Sequence, residues 1–597
     1  MSNEEAGKQE TSEETISPVF SMIMSRMRAP LILLIIVYAV AMVGLILIPG
    51  VDDEGKLWRM SIFHAFYYVS FTATTIGFGE IPYALNDAQR LWVICTIYMT
   101  VIAWLYAIGK ILSLVQDPVF KKALYENRFK NQVSQIHEPF YLVCGLGETG
   151  YDVIKALTDE HYRAIVIEKD QASLLENNIH DLREFVPCLI ADASVPRYLK
   201  LAGISRDYCK GVIAATASDE TNLKIAISSK LLHPEGKVVC RSDIQVFEEN
   251  MLSFNTDYVV NPYRTFADIF SMLLHSSSLH LIFDWITGAP DSQLSIEPLN
   301  PRYGRWILCS YGRFGNALYQ KFLEHDIALT ILEPDEEVCE TFRKNNIDQA
   351  QDIIVGTGID EKSLKKAGID DAVGIIAGWD NDSNNLSIVM TARQLNPDIF
   401  VVARQNLRDN SELFVKSKAD LVMQPREITA RMIRALFLNP LLIEYLNNAK
   451  KQDEEWSNIV ISRLSAVVGD KKPHIWTAEI NTKQAPAIIN ALNLGRNTTL
   501  NYLTQDPVSR DHKLKCVALL IERQGDYQMM PDDSTKIEIG DRILFCGKRE
   551  DMNSMHWILH VMSSLNYVMN YRDEAESYIW RKLTQKNKGV ERRKTQR

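Results

Sequence analysis

Two stretches of this 597-residue chain carry the same punctuation, 165 positions apart. Phe140-Tyr-Leu-Val-Cys144 reads as a buried strand and leads into Gly145-Leu146-Gly147-Glu148-Thr149-Gly150 and a helical stretch; the next apolar strand, Ala164–Ile167, ends in Glu168. Trp306–Cys309 leads likewise into Ser310-Tyr-Gly312-Arg-Phe-Gly315, and Ile331-Leu332 ends in Glu333. Gly147 and Gly312 differ by 165 positions, as do Glu168 and Glu333. Downstream, Asp219 and Asn222 match Asp382 and Asn385, Val239-Cys-Arg241 matches Val402-Ala-Arg404, and Asn261-Pro262 matches Gln424-Pro425, all offset by 163. A near-constant offset across five landmarks is a duplicated domain. Strand-then-helix alternation within each copy predicts a parallel sheet wound on both faces.

The first copy holds a dinucleotide fingerprint in its confirming context. Its glycines permit a tight turn and close approach to a pyrophosphate at a helix N-terminus, and the acidic residue at the end of the next strand can hold a ribose hydroxyl. Gly145, Gly147, Glu148, Thr149, Gly150 and Glu168 are the candidate nucleotide contacts. The same glycines can also serve packing alone. In the second copy Ser310 replaces the first glycine, so Ser310, Gly312, Gly315 and Glu333 mark either a degenerate site or a site for a different ligand.

Upstream of the repeat the composition changes. Leu31–Ile48 is an uninterrupted apolar run, about 27 Å long as a helix and close to one bilayer core. Leu91–Val115 is a second span, and the aromatic Trp58–Thr72 between them is too short to cross and reads as a re-entrant helix. Arg26 and Arg28 precede the first span, and Lys110, Lys121, Lys122, Arg128 and Lys130 lie at or beyond the end of the second, while Asp52, Asp53 and Glu54 open the loop between the spans. The positive-inside rule then predicts both termini in the cytoplasm of a multi-pass membrane protein. The start of the chain has no removable signal pattern. A net charge of −10 argues against nucleic-acid binding. Nine scattered cysteines without a Cys-x-x-Cys pair predict reduced, buried thiols rather than a zinc site or a disulfide framework.

Behind the re-entrant segment stands Thr74-Thr75-Ile76-Gly77-Phe78-Gly79-Glu80. It resembles the selectivity filter of the two-transmembrane potassium channels, in which four subunits line one pore with carbonyl oxygens. Gly77 and Gly79 allow the backbone to alternate between ordinary and positive φ, which points successive carbonyls at one axis. Thr75 can add its hydroxyl, and Ile76 and Phe78 are expected to face the pore helix. Glu80 stands where that family usually has Asp, and Phe78 where Tyr is commonest. Tyr98-Met-Thr-Val101 lacks the inner-helix hinge glycine common in the family, and Gly109 lies nearer the cytoplasmic end.

The duplicated halves resemble RCK (TrkA-N) domains, whose Rossmann-like lobes pair through crossover helices into an eight-lobed ring beneath such a pore. That resemblance implies a homotetramer in the cell (inner) membrane, in contact with lipid, passing K+ passively under control of NAD or an adenine nucleotide. It adds Asp192 to the first-lobe contacts, near the adenine-bearing half. Calcium is a further ligand known for such channels. The carboxylates Asp453-Glu454-Glu455 and Asp532-Asp533 are of the kind it takes, but neither run has EF-hand spacing; no metal site is assigned, and solvated surface is the expectation.

The expected organisation is a multidomain chain: an α-helical pore domain, two α/β lobes and a small α+β subdomain. The segments are a tail at 1–28, pore domain 29–117, linker 118–138, first lobe 139–262 and crossover with connection 263–300. The second lobe follows at 301–425, a crossover helix at 426–453, a TrkA-C-like subdomain of short strands at 454–560, and a helical, basic tail at 561–597. A ligand-gated channel, not an enzyme, is the function expected. A non-conducting nucleotide sensor and a membrane-tethered NAD-dependent oxidoreductase are the competing classes. The second lacks a substrate domain and leaves Thr74–Glu80 unexplained.

Overall fold

The computed structural model describes residues 18–176, 182–288, 298–346, 352–469, 471–509 and 511–570; most of the N-terminal tail, much of the lobe connection and the basic tail from residue 571 lie outside these. The chain divides into a unit ending at His137 and a second beginning at Glu138.

In the first unit, α1 (Pro18–Leu47) and α3 (Asp87–Gln116) are long and apolar enough to span a membrane. Between them lies the short α2 (Ile62–Ala73), capped at its start by Ser61. The two long helices are pinned at one end by a capping box. Asn86 accepts from the Gln89 N–H at 2.8 Å, and Gln89, buried, reaches the Ile48 carbonyl at 3.2 Å. One turn further along α3, the Trp92 indole donates to the Ala41 carbonyl at 3.1 Å and lies over Gly44. A Cβ on Gly44 would stand 2.0 Å from that ring. Gly44→Ala is therefore expected to lower stability by about 1–3 kcal/mol, the usual cost of overpacking, read as an earlier thermal transition of the detergent-solubilised protein. At the other end Arg26 pairs with Asp117, which caps α4 (Pro118–Ser134), so the linker segment is itself helical.

The second unit opens with two sheets of one topology. In the first, β1 (Phe140–Cys144), β2 (Arg163–Glu168), β3 (Cys188–Ile190), β4 (Cys209–Ala214), β5 (Lys237–Arg241) and β6 (Tyr258–Val260) lie in the order 3-2-1-4-5-6, all parallel. In the second, β7 (Trp306–Cys309), β8 (Leu329–Glu333), β9 (Ile353–Val355), β10 (Gly374–Ala377), β11 (Phe400–Arg404) and β12 (Leu421–Met423) repeat it as 9-8-7-10-11-12. The central strands are buried on both faces, which accounts for their unbroken apolar runs.

The matched landmarks make matched bonds. Asn222 accepts from the Thr216 N–H at 3.0 Å and donates to the Arg241 carbonyl at 2.9 Å; Asn385 accepts from the Trp379 N–H at 2.9 Å and donates to the Arg404 carbonyl at 2.7 Å. Asp219 accepts from the backbone of Asp243 and Ile244, and Asp382 from that of Asn406 and Leu407. These side chains tie neighbouring strand ends together, a job that needs Asp and Asn in both copies.

Each lobe is followed by helices that pack on the other lobe. Pro262–His275 buries Tyr263, Phe266 and Phe270 against Trp306, Phe314 and Leu318 of the second lobe. Pro425–Leu438 buries Ile433, Leu436 and Phe437 against Tyr141, Val143 and Ile154 of the first. Both crossovers, expected as single helices, break: a second helix starts at Ser277 after Ser276 and at Pro440 after Asn439. Asn439 precedes a proline, which disfavours continued helix; Ser276 is extended and caps the next helix.

One expectation is corrected. The helical pattern was expected to give way after about Glu454, but Glu454–Val468 is a helix, capped by Asp453 and burying Val460, Leu464 and Val468 at helical spacing. Strands follow only later. His474–Glu479, Cys516–Arg523 and Arg542–Gly547, where strands were expected at Thr477–Ile480, Lys515–Ile521 and Arg542–Phe545, form an antiparallel sheet with a fourth strand, Asp526–Met529, that the sequence reading missed. Three of the five carboxylates weighed for calcium are engaged elsewhere, Asp453 in that cap, Glu454 with the Ser278 hydroxyl at 2.8 Å, and Asp533 with Lys513 at 2.5 Å. Among the described residues no group of three or more His, Cys, Asp or Glu is placed to hold a metal.

Candidate functional site

The Thr74–Glu80 stretch turns at Thr74 and Thr75 as it leaves α2 and continues outside helix and strand. Three alternate residues adopt positive φ: Thr75 at 62°, Gly77 at 67° and Gly79 at 73°. Alternation of this kind turns successive carbonyls to one side. The glycines were legible in the sequence; Thr75 in a left-handed conformation was not, and it costs a β-branched residue steric energy that its surroundings must hold. The amide N–H groups point the other way. Those of Ile76 and Gly77 both bond the Phe71 carbonyl, at 3.0 and 3.2 Å, anchoring the strand to the end of α2.

Ile76 and Phe78 were expected against the pore helix. Phe78 does meet Phe71, ring centroids 6.4 Å apart, yet in one chain Ile76 and Phe78 remain 59% and 65% exposed. At the outer end, Tyr67 of α2 donates its hydroxyl to Glu80 at 3.1 Å. This brace was not foreseen.

In the second unit, β1 ends at Cys144 and Gly145 turns at φ 101°, with the backbone of Ala215 3.0 Å from where a Cβ would be. Gly150 sits in the first turn of the helix Glu148–Asp159, and a Cβ there would lie 2.0 Å from the Gly145 carbonyl oxygen. Gly147 is different. It is the N-cap, has no side chain to cap the helix, and faces open space. The helix thus begins with unsatisfied N–H groups at the rim of a cleft of about 560 Å³.

That cleft brings together Gly145, Gly147, Glu148, Thr149, Glu168 and Asp192. Glu168 points its carboxylate at the loop, accepting from the N–H of Leu146 and, at 2.8 Å, of Asp170. Asp192 accepts from Ser194 and lies 3.2 Å from Lys169; these contacts, the Ser194 bonds foremost, hold its carboxyl below the usual range. Cations complete the lining, and sequence reading missed them. Arg241 donates to Thr149 at 3.2 Å, while Arg404 and Arg426 arrive from the second lobe and its crossover helix. Arg426 pairs with Glu148, and Arg404 lies over the Tyr263 ring at 4.9 Å.

The second lobe repeats the loop with a difference. Ser310 takes φ 82°, and Gly315 packs against its carbonyl as Gly150 does against Gly145. Glu333 accepts from the Tyr311 N–H at 2.7 Å, as Glu168 does from Leu146. Trp379, however, stands where the first lobe has Thr216. Its indole donates to the Thr357 carbonyl at 3.2 Å, bridging the ends of β10 and β9. The corresponding gap in the first lobe, between Thr216 and Asp192, is part of the open cleft.

Comparison with known proteins defines the class. Residues 31–117 match the ion channel family model, and residues 141–262 and 306–425 each match the TrkA-N domain. The chain therefore carries an ion-channel domain and two TrkA-N domains, and is homologous to prokaryotic potassium-channel proteins with RCK domains. Potassium channel protein 1 of Methanocaldococcus jannaschii is 29% identical over 160 residues, 27% of this chain and 46% of that protein. The voltage-gated potassium channel Kch of Escherichia coli is 22% identical over 223 residues, 37% of this chain and 51% of its own. The chain spans about half the length of these relatives. The GsuK channel structure aligns with 90% of this chain and 98% of its own at 15% identity and a TM-score of 0.45.

Proposed function

We propose that the protein is a potassium-selective channel in which K+ crosses passively and nucleotide binding in the first-lobe cleft controls opening. The observation that carries this reading is the alternation of positive φ at Thr75, Gly77 and Gly79 between two membrane-length helices. Relatives named as potassium channels support K+ as the permeant ion. Four copies around one axis would supply four filter strands and cover the exposed Ile76 and Phe78. Eight lobes would then form the cytoplasmic ring, with both termini on the inner side of the cell membrane.

For the ligand, NAD or an adenine nucleotide fits the cleft by chemistry. Pyrophosphate would sit at the Gly147 helix start beside Arg241, Arg404 and Arg426, and the adenine half toward Asp192. Binding shifts gating only as far as the ligand prefers one ring state over the other. Glu168 serves twice in this reading, pinning the loop and accepting a ribose hydroxyl, so Glu168→Ala is expected to weaken nucleotide binding about tenfold or more. Unchanged calorimetric affinity in that variant removes Glu168 from the site.

Recording the purified protein in a bilayer under a potassium-against-sodium gradient, before and after NAD or ADP, tests the whole reading. A reversal potential near the potassium equilibrium value with nucleotide-dependent open probability is the expected result. No current under either nucleotide would favour the non-conducting sensor.

A further inference from the structure

A second cleft, of about 570 Å³, opens where the first lobe, the helix Pro425–Leu438 and the antiparallel C-terminal subdomain meet. It shares no lining residue with the nucleotide cleft. Its walls are apolar in part, with Trp476, Phe437, Ile286 and Met552, and its charged groups are unbalanced. Lys237, Arg434, Arg542 and Arg549 face it as cations against only Glu160 and Glu479 as carboxylates. Arg542 is already paired, with Glu522 at 3.1 Å and Glu479 at 3.8 Å, which leaves Lys237, Arg434 and Arg549 as the cations without an ion pair among the described residues. His474 also lines it.

Arg434 is the centre of this arrangement. One of its terminal nitrogens caps the helix Ser277–Thr287 by donating to the carbonyls of Thr287, at 2.5 Å, and Gly288. Among the described residues its remaining donors have no hydrogen bond and no carboxylate within ion-pair distance. Burial, and then the neighbouring Arg431, pull its pKa down to about 10. A largely desolvated guanidinium is costly when its nearest carboxylates, Glu160 and Glu427, act on it only from beyond ion-pair distance, and a bound anion would offset that cost. The duplication supplies a control. At the equivalent place beside the second lobe, Arg434, Lys237 and Glu160 become Ser271, Phe400 and His325, and Ser271 and His325 hydrogen-bond each other at 2.5 Å. The cations belong only to the copy that faces the C-terminal subdomain.

We propose that this cleft is a second ligand site, taking a small organic anion whose phosphate or carboxylate groups pair with Arg434 and whose apolar body rests on Trp476 and Phe437. Its size falls in the usual range for small-molecule sites. Because helix Pro425–Leu438 also carries Arg426 into the nucleotide cleft, an anion on Arg434 acts on the same helix that contacts Glu148. The site is distinct from the one proposed for the nucleotide, and each stands or falls separately.

Calorimetric titration of the full-length solubilised protein with AMP, pyrophosphate and citrate is the test, in a Gly147→Phe background that closes the first-lobe cleft. The expected result is one anion bound per chain in that background. Tighter AMP and pyrophosphate than citrate identifies a phosphate site, and the reverse a carboxylate site. Arg434→Gln should weaken binding about tenfold or more, the loss of a charge-assisted hydrogen bond in a desolvated place. Arg434→Gln also removes a helix cap, so Lys237→Ala and Arg549→Ala, whose exposed side chains make no hydrogen bond or ion pair among the described residues, provide the second arm, at about threefold each. Binding by none of the three probes in the Gly147→Phe background overturns the proposal, as does an affinity indifferent to all three substitutions.

Discussion

Gly77→Ala is expected to abolish potassium current while the protein still assembles and elutes as the wild type. Space is not the obstacle, since nothing stands within 4 Å of the position a Cβ would take. Conformation is. Gly77 holds φ 67° between Thr75 and Gly79, which are also left-handed, and an L-residue there costs about 1–2 kcal/mol per chain, or about 4–8 kcal/mol across the four chains of the proposed tetramer. The strand relieves that cost by turning the peptide, which swings a carbonyl away from the ions. Gly55 offers the comparison. It too is left-handed, at φ 81° in the turn closed by its own N–H to the Asp52 carbonyl, and nothing crowds it. Gly55→Ala should therefore carry the same conformational penalty and keep the current. Selective potassium conduction by Gly77→Ala, in bilayers where Gly55→Ala also conducts, would remove Thr74–Glu80 from the role of filter.

What could be read in advance divides along a physical line. Local backbone demands leave letters behind: the glycines of both loops, the filter glycines, and the Asp219/Asn222 and Asp382/Asn385 pairs, whose bonds reach only to neighbouring strand ends. Contacts between distant segments leave none. Arg404 and Arg426 lie more than 250 positions beyond Glu148, and nothing in their spacing says that the crossover carries them into the first lobe's cleft. Tyr67 and Glu80 are 13 positions apart with a turn of chain between them, so no periodicity links them. The helix Glu454–Val468 was obscured because its polar first turn, Asp453-Glu454-Glu455, reads as acidic surface, although that composition is also what a helix N-terminus favours. Trp379 was passed over for a related reason. A tryptophan after a buried strand looks like core, and only its bond to Thr357 reveals that it bridges the cleft.

The arginines from the second lobe give the nucleotide cleft a mechanical consequence. Glu148 in the first helical turn is paired with Arg426, which begins the helix packed along the first lobe. In the proposed reading, a pyrophosphate at that helix start would compete with Glu148 for the same guanidinium, so a ligand held by the first lobe would pull on an element anchored in the second. Coupling of this kind asks for no contact between ligand and pore. It asks only that the two arrangements of Arg426 differ in free energy by what the ligand can supply.

Gly147→Phe should separate the two lobes by function. At φ −67° the backbone accepts a side chain, and the open space before it is the cleft itself, so the ring fills the place of the pyrophosphate without straining the loop. Nucleotide affinity is expected to fall by at least about hundredfold, with an unchanged melting temperature in the absence of ligand and currents that no longer respond to NAD or ADP. Gly312→Phe is the matched substitution, again at ordinary φ, −75°, with its nearest neighbour the Ser310 hydroxyl at 3.8 Å. Because Trp379 already bridges the second lobe's gap, that variant should bind nucleotide with wild-type affinity and stoichiometry. Were Gly312→Phe instead to halve the number of nucleotides bound per chain, the Trp379 indole must swing aside on binding, and both lobes would be sensors. Were Gly147→Phe to leave both affinity and gating intact, the glycine loop of the first lobe would be there for packing, and any ligand that gates the current would have to be sought elsewhere in the protein.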